Sequence, residues 1–254
     1  MKTAIVTDST CYLPQAEIDK HHITVVPIPV ILDGAVYDEG KDITTEEFYA
    51  KLKTAKTFPS TTQPPLGEML KLYENLANEG YDTIISIHLA STISGFVNTL
   101  KGAVDEVHGA KVYVYDSQIT VILMGWLVLA AAQMAEAGKD PEAILARLDD
   151  LRSTMGEYFI VNDLQNLVRG GRLSNASAFI GGMLKIKPLL TFDDQSHKIV
   201  AIEKIRSIKK ASARVEALFQ QELERVDYPI HANDPEEAQR WLTDLQQKFP
   251  TVPF

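Results

Sequence analysis

The feature that most constrains the fold is a rhythm in the first half of the chain. Three short β-rich runs, each ending in a polar cluster, alternate with segments of helical period. Thr3-Ala4-Ile5-Val6-Thr7 runs into Asp8-Ser9-Thr10, and Thr83-Ile84-Ile85-Ser86-Ile87-His88 runs into Leu89-Ala90-Ser91-Thr92-Ile93-Ser94-Gly95. Val112-Tyr113-Val114-Tyr115 runs into Asp116-Ser117-Gln118. Between them, Leu66, Met69, Leu70, Tyr73, Leu76 and Ala77 recur at helical spacing, as do Phe96, Val97, Leu100, Val104 and Val107. The apolar segment Val121 to Ala135 reads as a further helix, closed by Gly138. Strands alternating with helices form parallel βαβ units, so an α/β fold around a parallel sheet is expected. Ligands bind such sheets beyond the carboxyl ends of the strands, and all three polar clusters should open there.

The stretch from Thr24 to Pro65 breaks the rhythm. Val25 to Leu32 carries Pro27 and Pro29, which disfavour helix before them and demote the run to an edge strand or bridging ribbon. Thr44 with Glu47 three residues on predicts a capped helix start. A helix from Pro141 to about Leu151 leads into different material: Gly170-Gly171, Gly181-Gly182, a hairpin around Asp193 to Lys198 and a long helix from Ile208. The reading is therefore two domains. Residues 1–153 form an N-terminal parallel-sheet βαβ domain, with 24–65 as an irregular bridging segment, and 154–254 form a C-terminal α+β domain.

Composition narrows the function classes. A net charge of −9 argues against a nucleic-acid partner held by a broad basic face. The longest apolar run, Val121 to Ala132, falls short of the roughly 20 residues a membrane helix needs, so a buried helix is expected and membrane contact is at most transient. The N-terminus enters a strand-like run at once, with no secretory signal, which reads as cytoplasmic. One cysteine, Cys11, leaves no intrachain disulfide framework and no thiolate zinc cluster, so no metal is expected.

Among motifs, Ser94-Gly95 lies where a helix start would present free N–H groups to a carboxylate or phosphate, although from the residues alone the more ordinary reading is that Ser94 caps its own helix. Ser60-Thr61-Thr62-Gln63 precedes Pro64-Pro65 and another helix start, and turn chemistry explains it as well as ligand binding does. Arg169-Gly170-Gly171-Arg172 reads as a tight turn exposing two cations, either a solvated loop tip or a small basic patch for a phosphate or acidic partner. No G-x-S-x-G elbow and no G-x-G-x-x-G turn is present, and Gly34 to Lys41 has the wrong spacing for a P-loop. His21-His22 read as surface residues. Asp8, His88 and Ser94 can be drawn as a triad, the basis of a rival reading as a small-molecule kinase subunit or hydrolase.

Taken in order, these segments resemble the DegV family of bacterial fatty-acid-binding proteins, which includes the binding subunits of fatty acid kinase. The resemblance rests on Val6-Thr7-Asp8-Ser9-Thr10, Pro59 to Pro64 in place of a TSQP element, and His88 to Gly95 in place of an HLSS-x-LSG element. It continues through Val114-Tyr115-Asp116-Ser117, Leu167 to Ser174, Ile186-Lys187-Pro188-Leu189-Leu190 and Lys204-Ile205-Arg206. It implies a long-chain fatty acid between two domains, its tail in an apolar tunnel lined by residues such as Ile28, Met124, Phe179 and Met183. The carboxylate would be held by Thr61, Thr62 and Ser94 with the Gly95 N–H. It further implies that Arg172, with Arg169, faces an ATP-binding acyl kinase, and that the chain catalyses nothing alone and needs no cofactor.

The chain departs from the family pattern in three places. Phe96 stands where a threonine usually follows Ser-Gly, and Pro65 replaces a serine. A concluding strand and His-x-Gly-Pro-Gly segment are not found before Phe254, which on this reading would leave the head group one donor short.

Overall fold

The computed structural model describes residues 2–162, 164–175 and 186–221, together with 243, 246 and 247. The elements in chain order are β1 (Thr3–Asp8), α1 (Gln15–Lys20), β2 (Thr24–Val26), β3 (Pro29–Leu32), β4 (Ala35–Asp38), α2 (Thr45–Leu52) and β5 (Ser60–Thr61). Then come α3 (Leu66–Asn78), β6 (Thr83–His88), α4 (Phe96–Lys101), β7 (Lys111–Asp116), α5 (Val121–Glu136) and α6 (Pro141–Thr154). The remainder is β8 (Tyr158–Ile160), α7 (Gln165–Arg169), β9 (Lys187–Phe192), β10 (Ile199–Ile205) and α8 (Ile208–Gln221).

Four strands form a wholly parallel sheet in the order β2-β1-β6-β7. Its central strands lie under helices on both faces, and every residue of β6 is buried, as parallel sheets require. The apolar spacing of the sequence meets this sheet directly: Met69, Tyr73 and Leu76 of α3 are the buried positions of that helix. On α5, Gly125 sits so close to the short 3-10 turn Ser9–Cys11 that a Cβ there would lie 2.5 Å from the Cys11 carbonyl oxygen.

The proline-broken run divides between two sheets. β2 is the edge of the parallel sheet, whereas β3 is the centre of a separate antiparallel sheet, β4-β3-β5. The edge position expected from the prolines holds for β2 but not for β3, a central strand that tolerates Pro29 because the proline is its first residue. The start of α2 has its capping box: Thr44 Oγ1 accepts from Glu47 N at 3.2 Å, and Thr44 N donates to Glu47 Oε2 at 2.9 Å. The second helical pattern is shorter than its spacing suggests. α4 stops at Lys101, with Gly102 as its cap, and Val104–Glu106 form a separate 3-10 turn.

The chain leaves α6 at Thr154 and enters an antiparallel sheet, β10-β9-β8, whose β9–β10 hairpin spans Asp193 to Lys198. α8 covers it, burying Ala211 and Val215 with Leu189 and Ile205. A further apolar cluster joins the halves: Ala90, from the loop after β6, packs with Leu164, Leu173, Leu190 and Phe192. Gly181-Gly182, Phe179 and Met183 lie outside the described residues. Among the described residues no helix is long and apolar enough to cross a membrane, and α5 packs seven of its residues into the core.

The two histidines of the α1 turn differ from expectation. His21 is 9% exposed, because its Nδ1 lies 2.9 Å from Glu136 and its Nε2 3.4 Å from Glu17. His22 remains on the surface.

Candidate functional site

The polar clusters that follow β1, β6 and β7 do converge, and main-chain hydrogen bonds stitch them together. Ser117 N donates to the His88 carbonyl at 3.1 Å, and Ala90 N to that of Ile119 at 2.8 Å. Asp116 Oδ1 accepts from both Ser91 N and Gln118 N, each at 3.0 Å.

Most of the hydroxyls in these clusters are already engaged. Ser9 donates to Glu39 at 2.6 Å and accepts from Ile28 N. Thr10 donates to Asp8, Ser117 to the Ile119 carbonyl, and Thr92 to the carbonyl of His197 in the β9–β10 hairpin. Ser94 Oγ accepts from Phe96 N at 3.3 Å and keeps its own proton to donate. The cap position of α4 is Gly95, one residue later than Ser94, and its N–H has no partner among the described residues. Thr61 is exposed, with its hydroxyl unpaired among the described residues, and Thr62 Oγ1 has only a long contact of 3.5 Å to Gln63 O.

Gln63 brings these groups to one place. Its Oε1 accepts from Thr99 Oγ1 at 3.0 Å, and its Nε2 lies where a Cβ on residue 95 would come within 2.8 Å, so Gly95 makes room for it. The Thr61–Gln63 segment and the Ser94–Gly95 turn therefore meet through one amide. The spacing of the sequence carries no sign of this role. The Arg169–Arg172 turn joins on the other side. Arg169 lies 4.5 Å from the Phe58 ring, and Arg172 Nε donates to the Ile93 carbonyl at 3.1 Å.

Two expectations need correction. Arg172 is not an exposed cation of a solvated turn. It is partly buried, with Nε and Nη1 held by the carbonyls of Ile93 and Gly170, because the tight Gly-Gly turn brings main-chain acceptors within its reach. Arg169 is exposed but also bonded to Gln165 Oε1 at 2.9 Å.

The second correction concerns the Asp8, His88 and Ser94 trio. His88 Nδ1 lies 2.9 Å from Asp8 Oδ2, and its Nε2 lies 2.7 Å from Ser86 Oγ, not from Ser94. Ser86 in turn bonds Tyr73 OH at 2.8 Å. Asp8 also accepts from Leu89 N and from the backbone and hydroxyl of Thr10, so it acts as the acceptor for His88 Nδ1–H. The chain then runs Tyr73 O–H to Ser86, and Ser86 O–H to His88 Nε2. Burial pushes the Tyr73 phenol up to about 12, so it stays protonated. Asp8, His88, Ser86 and Tyr73 all have no exposure, and no substrate can reach a nucleophile there. This network fixes the loop after β6, with Phe96 packed edge-on to His88 at 4.6 Å between ring centres. Cys11, buried with its thiol pushed up to about 11 by burial, is equally inert.

No group of three or more metal-ligating side chains occurs among the described residues. A groove of about 570 Å³ between α5 and α6, floored by Trp126, Leu129 and Met134, is lined by none of these site residues.

Fold and site together define a class: an α/β protein in which a parallel sheet meets an antiparallel one across a hydroxyl-bearing loop. The chain belongs to the DegV family, whose model, described as one of uncharacterised proteins, matches residues 2–254. A DegV domain-containing protein of Listeria innocua is 43% identical over 257 residues, covering 100% of this chain and 90% of that one. Among solved structures, DegV of Bacillus subtilis, described as a fatty acid binding protein, superimposes with a TM-score of 0.88 at 40% identity, covering 100% of this chain and 91% of that one. A fatty acid binding DegV family protein of Streptococcus agalactiae gives a TM-score of 0.88 at 35% identity, covering 98% and 88%. A DegV family protein of Thermus thermophilus, described by its fatty acid binding, gives 0.85 at 32%, covering 100% and 90%.

Proposed function

We propose that this chain binds a long-chain fatty acid between a domain of residues 1–153 and one of residues 154–254, and presents its carboxylate to an acyl kinase. Thr61, Thr62 and Ser94 donate hydroxyl hydrogens to the carboxylate, with the Gly95 N–H beside them. The chain performs no catalysis and works in the cytoplasm. Arg169 and the remaining guanidinium edge of Arg172 face the kinase.

The observation that carries this reading is which hydroxyls are left over: among the described residues those of Ser9, Thr10, Thr92 and Ser117 are engaged within the protein, while those of Thr61, Ser91 and Ser94 and the Gly95 N–H keep a hydrogen to donate. The described binding of fatty acids by relatives 32–40% identical supports the same ligand class. The energetics divide accordingly. A buried methylene contributes about 0.8 kcal/mol, so a long tail contributes on the order of 10 kcal/mol before binding costs, against roughly 1.5–3 kcal/mol for each hydrogen bond to a charged group. The tail sets affinity, and the hydroxyls set direction and depth.

The test is native and then denaturing mass spectrometry on protein purified without added lipid, repeated on Ser94→Ala. An extractable fatty acid on the wild type, with reduced retention in the variant, is the expected result. Protein that carries no acid and takes up neither oleate nor palmitate overturns the reading.

A further inference from the structure

Arg152 occupies the last turn of α6, and its guanidinium holds two main-chain carbonyls. Nη1 donates to Met155 O at 2.9 Å and Nη2 to Gln118 O at 3.1 Å. Its Nε is buried with no partner among the described residues. Five residues on, in the segment linking α6 to β8, Glu157 has its Oε1 buried and likewise unpartnered. A buried donor and a buried acceptor are thus left unbonded where the two halves of the chain join.

The Gln118 end of this contact reaches the candidate site. Gln118 lies in the turn between β7 and α5, where it and the β-branched Val121 both hold positive φ, 55° and 53°. Such a conformation for a β-branched residue persists only where neighbours enforce it. The same turn carries Asp116, which accepts from Ser91 N, and Ile119, which accepts from Ala90 N. It is the floor beneath the Ser91–Gly95 loop.

We propose that Arg152 is a positioning residue for the Ser91–Gly95 loop and that the protonation state of Glu157 decides whether it holds that loop. With Glu157 neutral, Arg152 stays on Gln118 and Met155. A charged carboxylate takes an arginine by a two-pronged contact through Nε and the adjacent Nη2. Nη2 now holds Gln118, so drawing the Nε–Nη2 edge onto ionised Glu157 re-aims the guanidinium away from that carbonyl, and the strained turn loosens. The proton leaves Glu157 for solvent and no other bond is made or broken. Among the described residues, the charged groups that face Glu157 are Arg152 on α6 and Asp194 on the β9–β10 hairpin. Burial raises the Glu157 carboxyl to about 7, Asp194 reinforces the rise and Arg152 opposes it, so the change falls in the neutral range.

The ligand-release part of this inference rests on the fatty-acid reading, and the experiment separates the two. The probe is cis-parinaric acid, whose fluorescence reports its release, followed by stopped flow from pH 6 to 8.5. Wild-type release is expected to quicken about fivefold across neutral pH, the equivalent of one hydrogen bond, while Glu157→Gln stays slow at every pH. Asp194→Asn, which leaves Glu157 in place, moves the midpoint to lower pH. A pH-independent wild type, or a Glu157→Gln variant that follows it, overturns the proposal. If the probe does not bind, the fatty-acid reading fails, and the latch is read instead on the protein without ligand. Because the raised Glu157 pKa lowers Tm with pH whether or not the loop moves, the deciding readout there is amide hydrogen exchange of residues 91–95: exchange that quickens with pH in the wild type relative to Glu157→Gln supports the latch, and equal ratios at every pH overturn it.

Discussion

Replacing Asp8 by alanine measures what the buried network after β1 and β6 is for. Asp8 Oδ2 accepts from His88 Nδ1 at 2.9 Å and Leu89 N at 3.1 Å, while Oδ1 accepts from Thr10 N at 3.1 Å and Thr10 Oγ1 at 2.6 Å. Thr10 is partly exposed, so its groups can turn to water at little cost. His88 is wholly buried, and its Nδ1–H loses its acceptor, as does the Leu89 N–H. Each stranded buried donor costs about 1–3 kcal/mol, so Asp8→Ala should lose about 2–6 kcal/mol. That is a large part of the 5–15 kcal/mol typical of a folded domain. Asp8→Asn keeps the shape and one acceptor oxygen, and about half the loss is expected. The assay is urea unfolding followed by far-ultraviolet circular dichroism, with the denaturant slope checked for constancy. If Asp8→Ala unfolds within 1 kcal/mol of the wild type, the network is not structural and its assignment here is refuted.

Two other outcomes follow from single positions. Gly125→Ala places a methyl 2.5 Å from the backbone carbonyl of Cys11, where no flexible side chain can yield. A loss of about 1–3 kcal/mol in urea unfolding is expected, and an unchanged midpoint would mean that α5 can slide over the Ser9–Cys11 turn. For Glu157, the folded pKa of about 7 stands above the ordinary 4.5, so the folded state holds the extra proton between them. Its contribution is therefore fully present below about pH 4.5 and lost as pH rises through 7, at most about 3 kcal/mol. Urea midpoints of wild type and Glu157→Gln at pH 5 and 8 check this, and a difference that does not grow with pH contradicts it.

The strand-and-cluster rhythm located β1, β6, β7 and the edge where they open, because period and turn chemistry are properties of neighbouring residues. The fate of Val25 to Leu32 was only half legible. Prolines argue against a single continuous central strand, but which sheet each half joins depends on partners outside the run: Asp8 for Val26, and Asp38 and Thr61 for the two sides of β3. Ser94 and Thr61 could be nominated from residue type alone. What Gln63 and Arg172 do could not, since each acts on a distant segment, Gln63 across Gly95 and Arg172 on a main-chain carbonyl. His21 was misjudged for the same reason: a carboxylate 115 residues away makes its burial possible.

The halves of the molecule are tied at the loop after β6 by side chains that grip peptide carbonyls: Thr92 on His197 and Arg172 on Ile93. Every amino acid supplies that acceptor. The tie itself therefore asks for a particular side chain only at residues 92 and 172; what restricts 93 and 197 is separate, the packing of Ile93 against two apolar clusters and the positive φ of 52° at His197. The loop after β6 can in this way change its other side chains while the joint that carries it stays intact.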